Sequence, residues 1–356
     1  MTDENQYLIY GSNNSPYSIK ARAYAIYKNI PHKWVLRGSD EEGYKKVAKL
    51  PLVPAIRIPG SGAGMQDSTP IMEYFDATFP NSVSTHPPTK TLRFLSELLE
   101  EFGDEWGNKW MFHYRWARPI DANMVAMRIV GEQMGDKATD EMLSKMSSMI
   151  RSRMTGRGFA VASNDITGPM IEQSFQDGCK MLEEHFKTRS FLFGERPSFG
   201  DFGLGLQVYQ ALIDPTAGRF LTENCPRVCV WCTKMVSPDT SLGHDDSKWE
   251  TWDTLKGTLM PFLQTQVGDT FLAWSNANSI AISTKATECT VRLPKYGLWK
   301  NEVKGPQKYQ HRSLGVLRQK FANARNDELD AIMKQTNCFN MLSLKSIVPK
   351  RKHFFG

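Results

Sequence analysis

The sequence predicts an α/β N-terminal domain, an all-α domain behind it, and a mainly helical C-terminal extension containing a small β-hairpin. Three observations lead there. Over the first eighty or so residues, short strand and helix signals alternate. Past about residue 89, apolar residues recur almost throughout at helical spacing. The length, 356 residues, suits two to three domains of roughly 150 residues each.

Tyr7-Leu8-Ile9-Tyr10 is a β-rich run, ended by the turn residues Gly11 to Asn14. Ser15-Pro16 opens a helix, because Ser is a favoured N-cap and Pro at the first helical position loses no hydrogen bond. Ile19, Ala23, Ile26 and Tyr27 continue it, and Pro31 and His32 break it. Trp34 to Leu36 reads as a second strand, Glu41 to Leu50 as a short helix, and Val53 to Ile58 as a strand. After a turn over Gly60 to Gly64, Met65 to Asp67 forms the last strand, and Ser68 caps a helix reaching Phe79. The order βαβα then ββα is the thioredoxin-like arrangement.

Ser82 to Thr89 is a linker, so the first domain spans residues 1–82. The helical domain follows over 89–248. Its helices fall near 92–102, 120–134, 138–154, 169–187, 199–212 and 227–235, with an aromatic first long helix containing Trp106 to Trp116. Residues 249–356 form the extension. Helices are expected at 249–266 and 269–286, a hairpin across Pro294-Lys295-Tyr296, a helix from Pro306 to about Lys334, and a basic mobile tail from Lys345. Its apolar groups are too many to hide alone, so it should pack on the helical domain.

Hydrophobic residues at 40% and charged residues at 23% exclude a disordered chain. The net charge of +6 is too small for a nucleic-acid partner but compatible with an anionic small ligand. No apolar run is long enough to span a membrane, and the polar start predicts no secretory leader. Six cysteines are too few for a disulfide scaffold, so a reducing, cytoplasmic setting is expected. Cys225, Cys229, Cys232 and His244 are too loosely spaced for a zinc set, and no metal is expected.

Three separated motifs resemble the glutathione S-transferase superfamily. Ser15-Pro16-Tyr17-Ser18, after the first strand, resembles the active-site turn of serine-type (tau- and theta-class) transferases. Val53-Pro54 lies where the superfamily has a cis proline. Gln66-Asp67-Ser68-Thr69-Pro70-Ile71 is similar to the element that holds the γ-glutamyl end of glutathione. Arg196 to Phe202 also resembles the Ser-x-x-Asp box that caps the core helix of the family's helical domain. Beyond about residue 235 the chain runs some hundred residues longer than a typical member. In this it is most similar to a group of long members sharing a segment like His113-Tyr114-Arg115-Trp116 and an Asp-Pro like Asp214-Pro215.

The resemblance implies a detoxification-type transferase that takes glutathione as co-substrate, conjugates it to a small hydrophobic electrophile and works as a homodimer. A catalytically silent scaffold of the same fold is the alternative. Ser15 is the implied catalytic residue and Tyr10, at the end of the first strand, the alternative. A free thiol near pKa 8.5 is mostly protonated at neutral pH, yet only the thiolate attacks well. A hydroxyl donor at a helix N-terminus favours the charged form. Because both glutaredoxin cysteine positions are serine here, dithiol chemistry is excluded.

Val53 and Pro54 would offer backbone groups to the cysteinyl unit. Ser68 would hold the γ-glutamyl carboxylate and Asp67 the amino group, with help from Gln66. The usual glycyl-binding lysine position is taken by Pro51 and Leu52, leaving Lys49 or Lys46 as substitutes. Tyr17, Trp110, His113, Tyr114 and Arg115 are the candidate electrophile pocket. Each also has a plain packing role available. Ser198 and Asp201 are assigned to helix capping.

Overall fold

The computed structural model describes residues 5–135 and 139–344. The basic tail from Lys345 lies outside the described residues. The N-terminal domain runs β1 (Tyr7–Gly11), α1 (Pro16–Tyr27), β2 (His32–Leu36), α2 (Glu41–Val47), β3 (Ala55–Arg57), β4 (Gly64–Gln66) and α3 (Ser68–Thr78). Its sheet has the order β2-β1-β3-β4, with β1 parallel to β2 and the other pairs antiparallel. The pleat sorts β1 between two cores. Tyr7 and Ile9 join the main core with Ile19, Ala23, Ile71 and Phe75, while Leu8 and Tyr10 face Tyr44, Val47 and Ala55 under α2. The cap of α3 is Asp67 rather than Ser68, which is the first helical residue.

The helical region begins with α4 (Lys90–Phe102), passes through a π-helical turn at Gly103–Gly107, and continues as α5 (Asn108–Ala117). Glycine is required at 103, because a Cβ there would sit 2.5 Å from the Leu204 backbone nitrogen. Next come α6 (Pro119–Met134), α7 (Asp140–Thr155), α8 (Thr167–His185), α9 (Phe199–Leu212), α10 (Pro215–Asn224) and α11 (Pro226–Lys234). Helix α10 was not anticipated, although Asp-Pro is a natural start. Helix α9 is buried along most of its length and carries the expected capping box. Asp201 accepts from the Ser198 amide at 2.8 Å and also from Trp231 Nε1 at 2.7 Å.

The extension contains α12 (Trp252–Phe262), a π-helical stretch at Leu263–Leu272 and α13 (Ala273–Ser283) in continuous succession. The break expected near Gly268 is absent. That glycine instead lets the backbone approach Thr336 closely. A hairpin of β5 (Glu288–Leu293) and β6 (Gly297–Glu302) follows. The helix expected from 306 to 334 is two helices, α14 (Gly305–Ala324) and α15 (Asp327–Gln335), separated where Asn326 caps the second. A short α16 (Phe339–Leu342) ends the described chain. The extension shares the main core. Phe262 and Phe271 pack on Phe102, Trp274 and Trp299 on Trp106, and Phe321 on Phe94. Among the described residues no helix is long and apolar enough to cross a membrane.

Candidate functional site

Sheet register brings the three motifs to one end of the N-terminal domain. Tyr10 pairs with Ala55, and Ala55 with Gln66. The turn after β1, the start of β3 and the start of α3 therefore share an edge. The Val53–Pro54 bond is cis, and the Asp67 amide donates to the Pro54 carbonyl at 3.4 Å.

Ser15 is the N-cap of α1, and its partly buried hydroxyl oxygen accepts from the Ser18 amide at 3.3 Å. That bond uses a lone pair and leaves the hydroxyl proton for a ligand. The turn before it is held from the second domain. Arg115 Nη1 donates to the Asn14 carbonyl at 2.8 Å and Gln210 Nε2 to the Asn13 carbonyl at 2.8 Å, while Glu132 accepts from the Asn13 amide at 2.7 Å. Arg115 is itself clamped by Asp214 at 2.6 Å and by Gln210. The two segments singled out in the sequence, around Arg115 and Asp214, are thus bonded to one another. Arg115 is 3% exposed and has its donors committed, so it braces the Ser15 turn and does not line a pocket.

The other expected residues divide. Gln66 spends its amide on the 49–52 segment, accepting from the Lys49 and Leu50 amides and donating to the Leu50 and Leu52 carbonyls at 2.7–2.9 Å. It shapes the approach to Pro54 and is not aimed at a ligand. Ser68 is 1% exposed and its hydroxyl has no protein partner, which marks a polar atom awaiting one. Tyr10 faces the α2 side, donates to Asp40 at 2.9 Å, and is pushed up to about 12 by burial and that carboxylate. Tyr17 donates to the Asp104 carbonyl at 2.8 Å.

The expected electrophile pocket is a correction. Trp110 and Tyr114 are core, packed on Phe175, with Trp110 Nε1 on Ser174 at 3.0 Å. His113 is held by Ser163 at 2.7 Å and Glu172 at 2.8 Å, and Arg118 shares Glu172. This resembles a nucleophile–base–carboxylate row, but the Ser163 amide that would stabilise an oxyanion is spent on the Gly158 carbonyl. The row ties α5 to α8. Aromatic density in the sequence signalled burial, and spacing alone could not separate core from pocket.

Sequence reasoning missed the acidic junction of α3, the π turn and α14. Lys20, fully buried, bonds Asp104 at 2.6 Å, Thr69 at 3.1 Å and Glu100. Glu73, Glu97, Glu101, Glu105, Tyr309, Ser313 and Lys320 line the same small cavity of about 20 Å³, room for about one water. Asp104 Oδ1, the Gln207 amide and Gln310 Oε1 are buried nearby without partners. A helix interior with a polar turn gave no sequence signal for this.

Burial, reinforced by neighbouring carboxylates, raises Glu105 to about 8 and Asp104 to about 7, with Lys20 pulling Asp104 the other way. The folded protein therefore keeps protons that the unfolded chain releases near pH 4. Stability from these groups is present below that range and is lost as pH rises towards 7. Lys109, pushed down to about 7 by burial, works in the opposite sense above pH 7. The denaturant midpoint should fall between about pH 5 and 7, and Glu105→Gln should flatten the slope. A midpoint rising over that interval in wild type contradicts the assignment.

Residues 9–83 match the family model described as the glutathione S-transferase N-terminal domain. That match gives residues 9–83 as a glutathione S-transferase N-terminal domain, in agreement with the sheet order, the cis proline and the capped α1 turn. Solved structures that match part of this chain include the beta-etherase LigF from Sphingobium sp. strain SYK-6, at 18% identity and TM-score 0.46, covering 66% of this chain and 96% of that one. Another is a tau-class glutathione S-transferase from mango, at 15% and 0.39, covering 67% and 96%. A third is rice GST1 in complex with glutathione, at 15% and 0.38, covering 73% and 99%. No curated protein matches the chain significantly.

Proposed function

We propose that the chain is a glutathione transferase that conjugates glutathione to a hydrophobic electrophile or runs related thiol chemistry. One observation carries this reading: Ser15 presents a half-buried hydroxyl with its proton uncommitted at the N-terminus of α1. There the hydroxyl proton and the helix dipole both favour a thiolate. Val53 and Pro54 flank the cysteinyl unit. Ser68 and the first amides of α3 take the γ-glutamyl carboxylate. Asp67 takes the amino group. Leu50 and Leu52, 59% and 62% exposed on the segment leading to Pro54, offer apolar surface for the electrophile. The working form is a cytoplasmic homodimer with three segments, 1–82, 89–248 and 249–356.

Ser15→Ala should leave folding intact and raise the pKa of bound glutathione. A hydrogen bond to a charged group is worth about 1.5–3 kcal/mol, so the rise is about one to two units. Titration of thiolate absorbance in the complex measures it. An unshifted value removes Ser15 from the role.

The second reading, a catalytically silent scaffold, is favoured by one observation: the aromatics expected to line the electrophile pocket are spent on the core. Retention on immobilised glutathione followed by turnover separates the two.

A further inference from the structure

Asp67 stands at the N-cap of α3 with φ 85°, yet its side chain makes no capping bond. The side chains of Ser15, Asp40, Thr89 and Asn326, at equivalent positions, each accept from their own helix. Asp67 Oδ2 instead accepts from the Tyr309 hydroxyl at 2.6 Å, 242 residues away on α14. Helix α14 is a fixed platform for that hydroxyl. Leu314, Leu317 and Phe321 are buried, Lys320 pairs with Glu73 at 2.7 Å, and Ser313 bonds Glu101. Further back, Asn278 donates to the Gln307 carbonyl at 3.0 Å, and Gln307 donates to the Phe159 carbonyl at 2.8 Å.

We propose that Tyr309 is a positioning residue by which the C-terminal extension completes the amino-recognition subsite: it holds the Asp67 carboxylate off the helix end and ready for the ligand's ammonium group. This rests on the reading of Asp67 as the partner of the γ-glutamyl amino group. A carboxylate has about four lone-pair sites, so phenol and ammonium share it without competing. A phenol titrates near 10, so at neutral pH it stays protonated and remains a donor. Without Tyr309 that tether on the Asp67 carboxylate is lost, and the ammonium meets a less well-placed acceptor.

The test is calorimetric titration of the full-length protein with glutathione and with glutaryl-cysteinyl-glycine, the same tripeptide without its α-amino group. Tyr309 is 47% exposed, so Tyr309→Phe is tolerated by the fold. The variant should bind glutathione about three- to tenfold more weakly, a factor of ten being about 1.4 kcal/mol. It should bind the glutaryl peptide as wild type does, and raise KM for glutathione with kcat unchanged. In an Asp67→Asn background the substitution should add nothing. Unchanged or tighter glutathione binding, or equal weakening for both peptides, overturns the proposal while leaving the glutathione reading intact. A wild-type protein that binds neither peptide at millimolar concentration overturns that reading and the proposal with it.

Discussion

Arg115→Met should be the most damaging single substitution in the helical domain. Arg115 holds Asp214 and Gln210 in a buried network, and Arg128 adds a second charge on Asp214. Removing one partner leaves Asp214, fully buried, short of compensation. Breaking a buried pair in this way costs about 3–5 kcal/mol. Denaturant unfolding should show that loss. Arg115→Lys should recover only part of it, since a single ammonium cannot reach Asp214, Gln210 and the Asn14 carbonyl together. The substitution also removes one of the braces on the Asn13–Asn14 turn and loosens Gln210, another, so folded variant protein should bind glutathione with a raised thiol pKa although Ser15 is untouched. A loss below about 1 kcal/mol, or a normal thiol pKa in the variant, would show that the turn holds itself.

What the sequence made legible was local. The Ser15 cap, the proline-led third strand, the Ser198–Asp201 box and the β5–β6 hairpin each depend on residues a few positions apart. The thioredoxin-like order followed from those pieces because few topologies accept them. What stayed hidden is long-range. Arg115 to Asn14 spans 101 residues and Tyr309 to Asp67 spans 242, and neither pair shows in any spacing. Helix continuity misled in both directions. Gly268 reads as a breaker but serves close packing, whereas Arg325-Asn326 interrupts what reads as one helix. The pocket aromatics were misplaced because Trp and Tyr at helical spacing satisfy core and cleft alike. Gln66 shows the same limit at the site itself: its position next to Asp67 suggested a ligand contact, while its amide is used to fix the 49–52 segment.

A fragment ending at residue 250 should fail to fold, and the full chain should melt in one transition. The extension is not a satellite, because its side chains complete the same core as those of the preceding helices. Removing it strips Phe94 of Phe321, Phe102 of Phe262 and Phe271, and Trp106 of Trp274 and Trp299. At about 1.5–3 kcal/mol for each large apolar side chain returned to water, those three rings alone cost about 5–9 kcal/mol. A domain has only about 5–15 kcal/mol in total. The π-helical turn at Gly103–Gly107, which carries Asp104, Glu105 and Trp106, would lose its cover along with α14. Expression of residues 1–250 should therefore give insoluble protein, or soluble protein that binds a hydrophobic dye and melts without cooperativity. The isolated extension should be equally unable to fold, since Phe262, Phe271, Trp274, Trp299 and Phe321 would lose their partners in the helical domain. A soluble 1–250 fragment with a sharp transition and retained glutathione binding would instead make the extension an independent unit, and Tyr309 could then have no part in the site.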